Sequence, residues 1–555
     1  MPPVADPPVP SPPHTPPRGR LFRSAGLTGA ATLTSRVLGL VREQVLAAVF
    51  GAGNDMDAFI VAFRVPNLFR DLLAEGAMSS ALVPTFAREL DQNGKQAAWK
   101  LGNSLLNALL LVTVFIVVMG WMLAGPVVNG SAAQFGAVPG KVDLTVQLAR
   151  MMLPFLTLTA LSAAMMGMLN SLHYYFVPAL APAMFNLATI LAAFVLVPFM
   201  PTFGLPRIAA MALAAVIGGL GQLALQWPSL KREGFRYRPS LDVRSPGLLR
   251  VLLLMGPGVV GLAATQINLL INTLLATNLG TGAVSWLQYA FRLIYLPIGL
   301  FGVSIATVAL PAVARHAVAG DREGVRHTVV DAMNLTLILN IPAAVGLFVL
   351  SPAIVRLLFE RGHFTAADTI NTASALRCYA VGLVGYSAGR IVSPLFYAIG
   401  RSRVPVELSV FTILVNIVVS MMLLPFVGFP GLALASSIAA LVNGGLSLAI
   451  LREHLGGIGG VRLASTAMRI GASSLAMGVA AVLVGRVMEI FVPGSAIWFQ
   501  AARLGVAMSG ALLTLALTAS VLGLSEFDYT LEEVRKRLRQ AWLGQGPSTT
   551  DVSST

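Results

Sequence analysis

Stretches of about twenty mostly apolar residues recur along nearly the whole chain, the length a helix needs to cross a hydrocarbon core roughly 30 Å thick. They lie near 25–50, 58–86, 101–124, 144–170, 177–199, 206–229, 248–278, 284–313, 327–350, 370–399, 404–425, 429–451, 466–491 and 500–523. This pattern predicts an all-α polytopic membrane protein with about fourteen transmembrane helices, since helices satisfy their own backbone polar groups inside lipid. The connections are short and leave no room for a soluble catalytic domain. Composition agrees: 56% of the 555 residues are hydrophobic and 11% are charged, against about 25% charged in a soluble domain. One cysteine, Cys378, excludes an intramolecular disulfide and a cysteine-built zinc site.

The chain carries 38 Lys and Arg against 24 Asp and Glu, a net charge of +14. Where those bases fall decides what they mean. With the N-terminus in the cytoplasm, 24 of them lie in inside segments and 6 in outside loops. That asymmetry is the positive-inside signature, so both termini are expected in the cytoplasm and no nucleic-acid partner is implied. The remaining eight are arginines within or at the edges of spans: Arg36, Arg42, Arg64, Arg70, Arg150, Arg292, Arg377 and Arg390. Each costs about 2.5–3.5 kcal/mol at a helix centre. Arg150 and Arg377 lie near enough to span ends to snorkel. The first two spans hold four of the eight with Glu43, Asp71 and Glu75, a density that cannot face lipid.

The halves repeat at an offset of about 224–229 residues. Ala62-Phe63-Arg64 matches Ala290-Phe291-Arg292, Val83-Pro84 matches Leu310-Pro311, and Gly51-Ala52-Gly53 matches Gly280-Thr281-Gly282. Val177-Pro178 and Gly204-Leu205-Pro206 recur as Val404-Pro405 and Gly428-Phe429-Pro430. Six spans per half is even, so the halves insert in the same direction, as in transporters built from parallel repeats with the substrate site between them. The expected organisation is a proline-rich cytoplasmic tail at 1–23, a six-helix lobe at 24–230 and a basic linker at 231–247. A second lobe follows at 248–452, then an appended helix pair at 466–523 and a cytoplasmic tail at 524–555. Pro66 and Pro297 follow the matched arginines and are expected to interrupt the helical ladder there.

No P-loop, no H-E-x-x-H and no clustered Ser/His/Asp set is present, which disfavours an enzyme and implies no cofactor and no metal. What the chain does offer is guanidinium at membrane depth. It is charged at any relevant pH, and its fork matches phosphate oxygens two at a time. An arginine-lined cavity therefore implies an anionic, phosphorylated substrate. The alternative for Arg42, Arg64 and Arg70 is structural pairing with Glu43, Asp71 and Glu75. Asp57, at the outer end of the second span, is read alternatively as that helix's N-cap. Asn268, Asn272 and Asn416 are intramembrane amides, suited to inter-helix hydrogen bonds or to coordinating a cation.

The runs T-L-T-S-R-V-L-G-L-V-R-E (32–43), F-G-A-G-N-D-M-D-A-F (50–59) and F-R-V-P-N-L-F-R-D-L-L-A-E-G-A (63–77) resemble the N-terminal signature of the MurJ (MviN) family of lipid II flippases. Y-A-F-R-L-I-Y-L-P (289–297), L-F-E-R-G-H-F (358–364) and S-P-L-F-Y (393–397) extend the resemblance in order. That family belongs to the multidrug, oligosaccharidyl-lipid and polysaccharide exporter superfamily, with two six-helix lobes. The resemblance implies a bacterial inner-membrane protein that moves lipid II, an undecaprenyl-pyrophosphate-linked peptidoglycan precursor, to the periplasmic leaflet, with membrane lipids its other partner. It implies that Arg36, Arg42 and Arg70 are cavity arginines of the first lobe and Arg292 that of the second. It further implies roles for Asp57 and Ser35, and a lipid-tail groove along the last helix pair. Phe291 and Tyr295 stand where some relatives carry acids beside the second-lobe arginine. A multidrug or cation antiporter of the same superfamily, or a flippase for another polyprenyl-linked glycan, is the alternative. No residue selects a coupling ion.

Overall fold

The computed structural model describes residues 18–72, 78–240, 242, 245–401, 403–494 and 496–524, without the side chains of 18–27 and of a few other positions. Residues 1–17 of the predicted proline-rich tail, the tail after 524 and Glu75 lie outside the described residues, and residues 18–23 of that tail are the start of α1. Every regular element among the described residues is helical. The first eight α-helices are α1 (Arg18–Phe50), α2 (Asn54–Leu72), α3 (Met78–Ser131), α4 (Lys141–Met152), α5 (Pro154–Ser171), α6 (Phe176–Val195), α7 (Ala209–Arg232) and α8 (Pro246–Thr277). There follow α9 (Ala283–Pro297), α10 (Val303–Val318), α11 (Arg322–Phe359), α12 (Ala366–Val381), α13 (Leu383–Ala398), α14 (Arg403–Val427), α15 (Pro430–Leu455), α16 (Gly460–Phe491) and α17 (Ile497–Val521).

Ten helical segments among the described residues are long and apolar enough to cross a membrane, and the chain is a polytopic membrane protein. The sequence anticipates fourteen, and the difference has local causes. The described part of α1 carries Arg36, Arg42 and Glu43. The stretch at 58–86 is divided by residues 73–77, outside the described residues, and the side chains of several residues of α8 between 257 and 265 are not described. The stretch at 370–399 divides into α12 and α13 at Gly382 and carries Arg377 and Arg390. In the other direction, α3 joins the end of the second predicted span to the third through the connecting loop, bending at Gly94 (φ 78). Pro154 starts α5 as its first helical residue, a position where its missing N–H is no loss. Pro297 ends α9 in a single π turn, Ile298–Gly302, whereas α2 runs through Pro66 to Leu72.

Two compact units divide the described chain. One gathers residues up to Glu43 with Phe69–Met122 and Arg150–Gly258; the other gathers Gln44–Leu68, Leu123–Ala149 and everything from Val259 onward. In the first, α6 and α7 pack along each other and α7 packs on α5. Its basic linker is tied down by α3: Asn107 Nδ2 donates to the carbonyls of Arg238 (2.9 Å) and Ser240 (3.0 Å), and Tyr237 Oη donates to Asn107 Oδ1 (2.6 Å). Nearby, hydrogen bonds from Lys95 and Tyr174 hold the Glu233 carboxyl below its usual range.

In the second unit small residues set the helix spacing, as expected where lipid supplies no hydrophobic drive between helices. A Cβ on Gly385 of α13 would fall 2.5 Å from the Ala440 backbone of α15, and one on Gly444 would fall 3.1 Å from Ala388 Cβ. The end of α1 meets the turn after α11 in the same way. Gly51 (φ 66) and Gly362 (φ 57) are both left-handed; a Cβ on Gly51 would strike the His363 carbonyl and one on Gly362 the Ala48 carbonyl. His363 N donates to Ala48 O across this contact (2.9 Å). Gly362→Ala should therefore destabilise the protein by at least about 1–2 kcal/mol from left-handed backbone alone, before any clash. A lowered unfolding midpoint of the detergent-purified variant checks this, and an unchanged midpoint would refute it.

Candidate functional site

The α1 segment that carries the predicted arginines is a continuous helix with no proline, and its polar groups are arranged around one amide. Gly39 lets Asn186 of α6 approach to 3.6 Å from where a Cβ would stand. Asn186 Nδ2 donates to the Ser35 carbonyl (3.0 Å), and Asn186 Oδ1 accepts from Arg42 Nη1 (3.0 Å). The Arg42 guanidinium also pairs with Glu43 and lies 5.0 Å from the Phe185 ring centroid. Arg42, its side chain 11% exposed, is thus held on three sides by protein. Arg36, by contrast, is exposed and Ser35 half-buried.

Arg70 repeats the Arg42 arrangement: its Nη2 lies 2.7 Å from Asp71 Oδ1, with Nε at 3.1 Å from the same oxygen. Both ion pairs join adjacent residues, which helical spacing would not suggest. Arg64 instead directs Nε and Nη2 to Thr273 Oγ1 of α8, at 3.0 and 2.7 Å. On α9, Arg292 is exposed. Beside it the Phe291 and Tyr295 rings pack 5.5 Å apart, and Arg390 of α13 lies 5.6 Å from the Tyr295 ring centroid and donates to its hydroxyl. Ser35, Arg36, Arg42 and Arg70 belong to the first compact unit; Asp57 and Arg292 belong to the second.

Asp57 is the most deeply buried of the predicted site residues. It is 0% exposed, and so is nearly all of Lys141, whose Nζ lies 3.1 Å from Asp57 Oδ2 and 4.0 Å from the Phe135 ring centroid. Oδ2 also accepts from Gly282 N (2.8 Å), and Oδ1 accepts from Ser285 N (3.1 Å) and Ser285 Oγ (2.7 Å). The carboxylate therefore caps a helix, but that helix is α9 and not its own α2. Four donors occupy both of its oxygens, and the α9 dipole adds to the Lys141 charge. The turns on either side also touch: Thr281 Oγ1 donates to Asn54 Oδ1 (2.9 Å), and a Cβ on Gly282 would fall 2.7 Å from Ala52 O. The two turns matched by the sequence repeat thus meet each other.

Sequence reasoning missed Lys141, counted as an ordinary loop base, and Asn186, one amide among many. The three asparagines noted in the spans form one network. Asn416 Nδ2 donates to Asn268 Oδ1 and Asn272 Oδ1, both at 2.8 Å, and Asn272 Nδ2 donates to Ser436 Oγ (3.0 Å). Removing one partner of a buried ion pair strands the other, at a cost of about 3–5 kcal/mol. Lys141→Met and Asp57→Ala should each lower the unfolding midpoint sharply, and the double variant should lose less than the sum of the two. Strict additivity in that double-mutant cycle would show that the pair is not coupled.

The chain matches the family described as lipid II flippase MurJ over residues 46–501. It is 36% identical over 446 residues to a probable lipid II flippase MurJ of Rhizobium meliloti, covering 79% of this chain and 82% of that one. With the lipid II flippase MurJ of Burkholderia cenocepacia it shares 34% over 438 residues, 78% of this chain and 84% of that one. A solved lipid II flippase MurJ in an inward closed conformation superposes with a TM-score of 0.72 at 25% identity, covering 89% of this chain and 99% of that chain. An inward-facing multidrug resistance MATE family transporter of the MOP superfamily gives 0.62 at 16% identity, over 78% and 98%, a likeness of fold alone. The match along most of the chain, with relatives above 30% identity over most of their own length, makes this protein a member of the MurJ family.

Proposed function

We propose that this protein moves lipid II from the cytoplasmic to the periplasmic leaflet of a bacterial inner membrane by alternating access of two six-helix lobes. In this reading fourteen helices span the bilayer, the lobes are the sequence halves at 24–230 and 248–452, and both termini are cytoplasmic. The observation that carries the substrate assignment is the exposure of Arg36 on α1 and Arg292 on α9. An exposed guanidinium at membrane depth does not face lipid; it lines a water-filled cavity and binds anions there. Pyrophosphate fits that demand, because each guanidinium fork takes two of its oxygens. Arg42 and Arg70, each neutralised by the adjacent acid, shape the same wall with less net charge. The polyprenyl tail stays in lipid beside α16 and α17.

Asp57 enters this reading as a lock at the periplasmic mouth. Its oxygens are occupied by Lys141 and the start of α9, so it offers an incoming pyrophosphate neither a donor nor an unpaired charge. Release of α9 from α2 would open that mouth. The shared fold of multidrug exporters leaves a cation antiporter as the second reading, distinguished by the sign of the cavity charge. Arg36→Ala, Arg42→Ala and Arg292→Ala should each fail to rescue a strain depleted of its own lipid II flippase while remaining inserted. Full rescue by all three would remove the arginine cavity from the mechanism, and cationic-drug efflux from vesicles would favour the antiporter.

A further inference from the structure

The start of α16 and the end of α17 enclose an open cavity of about 570 Å³, lined by Arg462, Ser465, Thr466 and Arg469 on one side and Gly523 and Leu524 on the other. Arg462 and Arg469 are seven residues apart, so both guanidinium groups leave the same face of α16 two turns apart, with the hydroxyls of Ser465 and Thr466 between them. Thr466 is 7% exposed, and its hydroxyl has no hydrogen-bond partner among the described residues although it lines the cavity. A hydroxyl that faces the opening without a protein partner can donate to or accept from a ligand oxygen. The helix itself starts after Gly459 (φ 58) with no side-chain cap, leaving its positive end turned toward the same opening.

Both arginines also contact the protein. Arg469 Nη1 donates to the Gly523 carbonyl (3.1 Å), and Arg462 Nη1 lies 3.9 Å from Asp331 Oδ1 in a solvent-exposed pair, a geometry worth little energy. Apolar side chains then climb from the rim along one stripe of α16. Val461, Met468 and Leu475, spaced by seven residues, are 88%, 70% and 67% exposed. A basic, hydroxyl-lined cavity at a helix start, opening onto an apolar stripe, matches a phosphate joined to an acyl chain.

We propose that this cavity binds the phosphate of an anionic phospholipid in the cytoplasmic leaflet. The leaflet follows from the positive-inside count, which places Arg462 and Arg469 on the cytoplasmic side. The site shares no residue with the arginines of α1, α2 and α9 and does not depend on what the protein transports.

Detergent-purified full-length protein is titrated with phosphatidylglycerol, phosphatidylcholine or inorganic phosphate while its thermal unfolding midpoint is followed. Phosphatidylglycerol should raise the midpoint saturably, with phosphatidylcholine much weaker. Arg462→Gln and Arg469→Gln should each weaken that response by about tenfold or more, the loss expected for a charge-assisted hydrogen bond. Arg462→Lys should retain most of it. Thr466→Val, which keeps the side-chain shape, reports on the site even if an arginine variant is not recovered, and should weaken binding too. Arg322→Gln, an exposed base outside the cavity, should leave it unchanged. An equal effect of Arg322→Gln would mean diffuse charge and overturn the site. Inorganic phosphate that binds as tightly and displaces the lipid would overturn the lipid assignment in favour of free phosphate. An equal response to phosphatidylcholine, or none to phosphatidylglycerol, would overturn the proposal.

Discussion

A carboxylate taken wholly out of water must find its compensation in the protein, and the arrangement around Asp57 follows from that requirement. Desolvating such an ion costs several kcal/mol even after relaxation. Lys141 returns part of this as a buried counter-charge, and Gly282 N, Ser285 N and Ser285 Oγ return the rest as hydrogen bonds. Three helices are thereby fixed at one point: α2 supplies the acid, α4 begins at the base, and α9 begins at the donors. The close glycine turns depend on the same point, since Gly282 sits against Ala52 only while the α9 start is held. Because the pair is internally neutral, it can persist at membrane depth; because it is buried, it cannot be half broken cheaply.

The arginines obey the same rule by other means. Arg42 and Arg70 take the nearest acid in sequence, Glu43 and Asp71, and Arg42 adds an amide and an aromatic face. Arg64 rests on a threonine hydroxyl. Arg390 rests on Tyr295. Charge in the spans is thus graded, from fully compensated at Asp57 through locally paired at Arg42 to exposed at Arg36 and Arg292. Function is best sought at the exposed end of that series.

Hydropathy made the membrane class legible, because apolar length alone decides it. The eight intramembrane arginines were legible for the complementary reason: a charge stands out against an apolar run. The helix breaks were partly legible. Pro297 announces its break, Pro66 announces one that α2 does not make, and the span read at 144–170 runs through the break at Pro154; Gly382 interrupts its helix where the chain passes the Ser437 backbone, which no local pattern records. Gly94 hides a bend inside a polar connection that turned out helical. The role of Lys141 was illegible for a plainer reason. Its partner is 84 residues away, and a lysine in a short loop looks the same whether solvated or buried. Asp57 read as a cap because acids near helix starts usually cap their own helix; it caps one 225 residues further on.

The pairing of these charges bears on what a cavity on this fold can bind. A cavity selects by the charges it exposes to its ligand, since the opposed fields of an ion pair largely cancel at a distance where a lone charge still acts. In this chain three acids of the first two spans are paired in place: Glu43 with Arg42, Asp71 with Arg70, and Asp57 with Lys141 and α9. The bases at Arg36 and Arg292 are exposed. An exporter of cations on the same scaffold would need the reverse, acids exposed and bases spent. The scaffold sets where a substrate can bind, and the choice of which charges are neutralised in place sets what that substrate can be.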